Sequence, residues 1–359
     1  MPETRARLRA RRSDIGEDTS LEERTYSPLT IERVRERPCK VDTECTTKQW
    51  KSIDLTRENL QRFNKMAGHE SPSACETRTA KRAKTTSTSA TFDQQLAENG
   101  VLSPRYSQTP SNYKARKKQL LQKRQSPEPT EEEFKHYETQ VGGGSNEAST
   151  SQHAVARLLN WRHLEVGFKW QSDRPFSELP PDLNFNKSLP KPQPDLVEGL
   201  ETQNFKPFRV RKKFGGEAVF FSDSSSIALP HLVGELKSGK GSEYEATRQA
   251  AYDGAALVNG YEKALDHLAA YEGKRPWKKT RAVITSFCLL PTSLSIYSHH
   301  SSINDEGEEE YHQTLLAAQN MATFEGWKQG RMLLRNAQQY SQERTLELRD
   351  RLRATVPKK

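Results

Sequence analysis

Apolar positions are sparse and without period over the first 125 residues, then become regular. One early island stands out, Phe92-Asp93-Gln94-Gln95-Leu96-Ala97-Glu98-Asn99-Gly100-Val101-Leu102. Phe92 and Leu96 are four apart and Asn99-Gly100 is a helix stop, so residues 92–102 read as a short docking helix, for this chain's own domain or for a partner. Residues 126–144 form an acidic stretch (Glu128, Glu131, Glu132, Glu133, Glu138) that ends in Gly142-Gly143-Gly144, which predicts a linker with a hinge. A helix is expected over about 146–161, with Ala154, Leu158 and Leu159 on its buried side. The prolines at 175, 180, 181, 190, 192 and 194 predict an irregular connection over 171–194.

Short apolar runs follow at 195–200, 208–211, 218–221 and 229–237, each read as a strand. A long helix is expected over about 242–271. Ala250, Ala251, Ala255 and Ala256 give it a small-residue face that packs closely on a sheet. Strands are predicted at 281–290 and 293–297, with a further one near 311–317, before a last helix over about 324–353. Helices alternating with strands in this way define an α/β fold with a mixed central sheet flanked by helices. No internal repeat is present.

Composition separates the two parts further. At 359 residues the length suggests about two domains of ~150 residues. However, only 33% of residues are hydrophobic, 29% are charged, and the mean hydropathy is −0.92. The net charge of +9 is uneven: residues 1–125 hold 26 basic and 16 acidic side chains, whereas 126–359 hold 30 and 31. Residues 1–125 therefore read as a long disordered basic tail, with too little apolar surface to offset the entropy of ordering it. Residues 145–355 read as one folded domain.

Basic clusters at 5–12, 81–84 and 114–124 (KARKKQLLQKR) suit nuclear import or contact with phosphates; the plainer alternative is a solubilising tail. No apolar run is long enough to cross a membrane, and the N-terminal residues lack the apolar centre of a secretory signal. Acidic residues at 3, 14, 17 and 18 also count against a transit peptide. The four cysteines (Cys39, Cys45, Cys75, Cys288) form no CxxC pair, which points to a reducing, intracellular compartment. His299-His300, at the end of a strand-like run, reads as a solvated edge rather than a metal site.

One arrangement carries chemistry. Pro194-Asp195-Leu196-Val197 opens one strand, and Leu232-Val233-Gly234-Glu235-Leu236-Lys237 ends another. Alternate residues of a strand share a face, so Glu235 and Lys237 project together while Leu236 points into the opposite core. If the strands are neighbours, Asp195 and Glu235 can converge on one Mg²⁺, which polarises a phosphoryl oxygen and acidifies a bound water. Lys237 can then orient that water or offset developing charge. Glu-x-Lys also occurs at 133–135 and 272–274, and Pro-Asp at 181–182. Those copies sit in an acidic stretch, a turn and a proline-rich connector. Ordinary strand-end charges remain the alternative for the chosen pair.

The segment Pro194-Asp195 … Glu235-x-Lys237, followed by a helix with Gln249, resembles the PD-(D/E)XK nuclease superfamily. More closely, QPDLVEGLE (193–201), LPHLVGELKSGKG (229–241), RQAAYDGAALV (248–258), Tyr311-His312-Gln313 and GRMLLRNAQQY (330–340) resemble an uncharacterised fungal-type nuclease-like domain, over about 145–355. A segment like FDQQLAENGVL often precedes such domains. The resemblance implies a restriction-endonuclease-like core and Mg²⁺ or Mn²⁺ as cofactor. It makes Asp195 and Glu235 metal-binding carboxylates and Lys237 the catalytic lysine, with Glu147 as a further acid from the first core helix. Gln249 matches the helix glutamine of one branch, although Tyr252 follows it by three residues where that branch has four; a helix-face amide satisfied by the sheet edge is the alternative. Lys240, between Gly239 and Gly241, is a candidate phosphate contact or a plain surface lysine. Arg248 is a candidate for phosphate contact or an ion pair.

The function expected is a metal-dependent nuclease hydrolysing phosphodiester bonds of DNA or RNA. The alternative is a catalytically inactive nuclease-fold module that binds nucleic acid or protein, which the near-neutral charge of residues 126–359 favours. A third reading is an effector-like protein recruiting a partner through residues 92–102.

Overall fold

Six strands form one mixed sheet whose spatial order follows the sequence. They are β1 (Phe168–Ser172), β2 (Leu196–Glu201), β3 (Ile227–Leu236), β4 (Ile284–Leu290), β5 (Ser293–Ile303) and β6 (Glu309–Asn320). The helices, in chain order, are α1 (Phe92–Glu98), α2 (Tyr113–Leu120), α3 (Glu131–Gly142), α4 (Val210–Phe214), α5 (Glu243–Tyr271) and α6 (Phe324–Ala354). This computed structural model describes residues 86–89, 91–142, 155–160, 167–223 and 226–357, which all fall within the unit Ala80–Lys359. The α/β class with a helix-flanked mixed sheet is as the sequence predicts.

Strands β1 to β3 form an antiparallel meander, β3 and β4 are parallel, and β4 to β6 are antiparallel again. A parallel pair needs a long crossover, and α5 provides it. Ser242 caps α5, its hydroxyl accepting from the Glu245 N–H at 3.4 Å.

Strand alternation divides the interior into two cores. Val233 joins Ala251, Ala255 and Ala256 of α5 on one face, while Leu232 and Leu236 join Trp327, Leu333 and Leu334 of α6 on the other. In β2, Leu196 lies in the α6 core and Val197 in the α5 core. A register shift between Glu198 and Leu200 then turns Leu200 to the α5 side. Glu198, fully buried on the α6 side, is held by His231 Nε2 at 2.9 Å and by Gln338 and Gln342 at 2.8 and 2.7 Å.

The largest departure from the sequence reading lies before residue 126. Residues 91–125 belong to the folded unit rather than to a tail. Phe92 and Leu96 of α1 enter the α5 core, with Phe92 edge-on to Tyr252 at 5.8 Å. The docking helix thus docks on its own domain. The chain then follows the outer side of β6: Leu102 N–H donates to the Tyr311 carbonyl at 2.9 Å and Tyr311 N–H to that of Gly100 at 2.7 Å. Helix α2 packs on α6 through Leu120 and the buried Arg116. The seven basic and two acidic side chains of 91–125 bring the net charge from −1 over residues 126–359 to +4 over residues 91–359.

Other expectations are corrected locally. The acidic stretch over 126–144 contains α3, started by a capping box: Glu133 N–H donates to Thr130 Oγ1 at 3.2 Å and Thr130 N–H to Glu133 Oε2 at 3.0 Å. Residues 208–211 lead into α4, and 218–221 are buried without strand pairing. Their apolar residues pack as an aromatic cluster, with the Phe176 and Phe220 rings stacked at 4.1 Å. Strand β1 lies in a segment with no strand-like apolar run. His299 and His300 are buried in mid-strand rather than solvated at an edge. Of the first core helix, the described residues include a helical turn at 155–158, with Leu158 and Leu159 buried as expected.

Candidate active site

Antiparallel pairing of Leu196 with Gly234 brings Asp195, just before β2, level with Glu235 near the end of β3. Asp195 Oδ2 accepts from the Leu236 N–H at 2.6 Å, which ties the two strand ends together. Glu235 shares the face of Val233 and so points toward α5. Its neighbour Gly234 must lack a side chain, because a Cβ there would stand 2.2 Å from the Phe287 ring. Lys237 Nζ lies 3.8 Å from Glu235 Oε2. Its backbone is held by a bond to the Leu289 carbonyl at 3.0 Å, and a Cβ on Gly241 would come within 2.6 Å of Lys237 Cβ. The Ser238-Gly239-Lys240-Gly241 turn therefore packs on the stem of the lysine.

A fourth member comes from α5. Asp253, almost fully buried, is hydrogen-bonded to Glu235. Burial first, then the nearby charges of Asp253 and Asp195, pushes Glu235 well above the usual carboxylate range. Burial and the Asp195 charge raise Asp253 too, while its bond to Glu235 opposes the rise. Like charges in a dry site ionise together only with difficulty, so Glu235 and Asp253 share a proton between them. Asp253 escaped the sequence analysis. Its signal is a lone carboxylate inside Ala250-Ala251-Tyr252-Asp253-Gly254-Ala255-Ala256, a run otherwise small or apolar.

Asp195 and Asp253 open onto a cavity of about 930 Å³. Its walls include Pro180, Pro181, Pro190, Pro192, Gln249 and Tyr252, the last donating its hydroxyl to the Pro190 carbonyl at 2.6 Å. Glu235 and Lys237 are not among the residues that line it. Thr86, Ser87 and Phe92 close one side of the cavity. Gln249 Nε2 donates to Ser87 Oγ at 3.1 Å, and Arg248 Nη1 forms an ion pair with Asp93 Oδ1 at 2.8 Å. For Arg248 the ion pair is what the structure contains. Lys240 is exposed in its turn. Glu147 lies outside the described residues.

The donors brought together are hard oxygens, suited to Mg²⁺ or Mn²⁺. Glu235 Oε1 and Asp253 Oδ2 are buried without a hydrogen-bond partner. Among the described residues, no group of three or more His, Cys, Asp or Glu side chains is already arranged to hold a metal ion. Nor is any described helix long and apolar enough to cross a membrane.

A helix-flanked mixed sheet, with acids and a lysine gathered at the end of a strand next to a parallel crossover, defines an α/β domain with a polar site at its strand ends. The chain belongs to the family described as a domain of unknown function, DUF7924, whose profile matches residues 135–350. No curated protein and no solved structure matches the chain.

Proposed function

We propose that the folded unit is a metal-dependent nuclease with a restriction-endonuclease-like core, hydrolysing phosphodiester bonds of DNA or RNA. The observation that carries this reading is the meeting of Asp195, Glu235 and Asp253, from three separate elements, beside the Lys237 ammonium. The antiparallel meander and the parallel strand reached through α5 agree with the mixed sheet that the PD-(D/E)XK resemblance implies.

The carboxylates would hold Mg²⁺ or Mn²⁺, and the two orphaned oxygens are the donors such an ion would satisfy. To hold the ion, Glu235 and Asp253 would have to give up the proton they share, since ligands bind metal deprotonated. When bound, the ion polarises a phosphoryl oxygen and lowers the pKa of a coordinated water. Asp195 is kept in place by the Leu236 N–H. Lys237 supplies a fixed positive charge beside the carboxylates, where it orients a water or offsets negative charge on the phosphorus centre. Lys240, next along the chain, fits a phosphate contact. The basic clusters at 5–12 and 81–84 suit nuclear import or sequence-independent phosphate binding.

The test is incubation of the full chain with single- and double-stranded DNA and RNA in Mg²⁺ or Mn²⁺, beside Glu235→Ala and Lys237→Ala. Cleavage that needs metal and is lost in both variants is expected. Cleavage indifferent to both substitutions removes this site from consideration.

A second reading is a binding module without catalysis. It is favoured by Ser87 and Asp93 engaging Gln249 and Arg248, and by the absence of Glu235 and Lys237 from the cavity lining. Absence of cleavage, with no metal uptake by calorimetry, would select it.

A further inference from the structure

Between Glu98 and Glu128 the chain has no acidic residue and seven basic ones, six of them from Lys114 to Arg124. The structure places this run on the surface of the folded unit, along α2 and the turn after it. Arg116 turns fully inward. Its guanidinium lies 4.0 Å over the Tyr340 ring and donates from Nη2 to Thr285 Oγ1 at 2.7 Å. That anchor fixes the rotation of α2 and leaves Lys114, Lys117 and Lys118 exposed on its outer side. Neither these three nor Lys123 forms an ion pair with a described carboxylate.

Past α2 the surface folds into two adjoining hollows of about 390 and 440 Å³, which share Lys123, Arg124 and Ser126. Helix α6 adds Lys328, Arg331 and Arg335 to the first. Glu128 pairs with Lys328 at 2.7 Å and lies within electrostatic reach of Lys123, and Glu133 lies 3.5 Å from Arg331. The second hollow is walled by polar side chains, the amides of Gln119, Gln122, Asn336 and Gln339 and, at one side, the Glu343 carboxylate, which accepts from Gln339 Nε2 at 2.9 Å. Arg124 spans the two. Its Nη1 donates to Asn336 Oδ1 at 2.9 Å and Gln339 Oε1 at 3.1 Å, both neutral, and its buried Nε has no partner.

We propose that α2 and these hollows form a binding surface for the phosphate backbone of nucleic acid. The exposed lysines follow the phosphates, and Arg124 with the neighbouring amides takes phosphate and sugar oxygens. A guanidinium held only by neutral acceptors keeps its full charge for an incoming anion. The second hollow is lined by polar residues, whereas Leu121, Pro127, Pro129 and Met332 give the first an apolar wall; the row of exposed lysines beside them is what favours a nucleic-acid backbone. The surface lies on the α6 side of the sheet, whereas Glu235 and Asp253 meet on the α5 side. It therefore shares with the nuclease reading only the identity of the polymer.

The test is binding of labelled single-stranded and duplex oligonucleotides to the full chain by fluorescence anisotropy, in EDTA, across a salt series. The triple variant Lys114→Gln/Lys117→Gln/Lys118→Gln is compared with Lys206→Gln/Arg275→Gln/Lys278→Gln, which removes the same charge from exposed positions elsewhere on the folded unit. The α2 variant is expected to weaken duplex binding by about tenfold or more and to flatten the log K against log salt slope by about 3, at ~0.9 per lost phosphate contact. The comparison variant is expected to do much less, and Arg124→Gln to weaken binding severalfold. Equal losses in the two triple variants, or no loss in the α2 variant, overturn the proposal. So does poly-glutamate competing as well as an oligonucleotide of equal charge, which would assign the surface to an acidic protein. Since EDTA stops metal-dependent cleavage, a failure here beside intact cleavage in Mg²⁺ refutes this surface alone.

Discussion

Glu262 is a buried acid whose charge is only half answered, and its removal has a calculable consequence. It lies on α5 and is 2% exposed. Oε2 accepts from Ser301 Oγ at 2.6 Å and stands 3.8 Å from Lys279 Nζ, while Oε1 has no partner. Burial raises its pKa from the usual 4.5 to about 7, despite the opposing pull of Ser301 and Lys279. The folded state therefore holds the proton more tightly than the unfolded chain. Whatever stability this residue contributes is complete below about pH 4.5 and falls as pH rises to about 7. At about 1.4 kcal/mol per pH unit, that span is worth roughly 3 kcal/mol. Glu262→Gln keeps an acceptor for Ser301 and removes the charge. Urea unfolding of both proteins from pH 4 to 8 should show the variant gaining on wild type by up to about 3 kcal/mol as pH rises. A difference that stays flat with pH, or that moves toward wild type, would refute the reasoning.

Buried histidines act with the opposite sign. Burial lowers His299 and His300 to about 3 and His312 to about 4, so the unfolded chain takes up protons first and stability falls as pH drops below about 6.5. His299→Gln, measured against wild type by the same unfolding series, should gain on it as pH falls from 7 to 5. Gly234→Ala would press a methyl into the Phe287 ring and should lower stability by about 1–3 kcal/mol, with Phe287→Leu restoring part of the loss on thermal melting. Thr130→Ala removes the α3 cap at a cost of about 1 kcal/mol, readable as a lower urea midpoint. Phe92→Ala should cost about 3–5 kcal/mol and open the 86–102 segment to limited proteolysis ahead of the rest of the fold.

The long elements were legible because their signals are local and strong. Helices α5 and α6 and strands β3 to β6 follow from period and length, and Glu235 with Lys237 follows from the strand's own alternation. What escaped depended on distant partners. Strand β1 has no apolar run of its own and is a strand because β2 lies beside it. The run 218–221 looks like a strand, but its phenylalanines find Phe176 rather than a neighbouring edge. The polarity of 103–125 concealed its place in the fold, since one inward arginine with Pro110 and Leu120 holds it down. The Thr130–Glu133 capping box was readable locally and was hidden by the acidity around it. Asp253 became visible only when α5 was laid across β3.

β6 is the last strand of the sheet and one of its longest, and such an edge is a template for the strand of another molecule. The chain from Gly100 to Gln108 occupies it: besides the two main-chain bonds at Tyr311, Gln313 N–H donates to Ser107 Oγ at 2.9 Å and Thr314 Oγ1 to the Gln108 carbonyl at 3.1 Å. The family match begins at residue 135, beyond this segment. A fragment cut at that boundary would keep all six strands and both long helices. It would also lay bare the middle of β6 and leave gaps where Phe92, Leu96, Val101, Leu120 and Phe134 had packed. Such a fragment should self-associate edge to edge, so the residues ahead of the family boundary serve as a guard against aggregation.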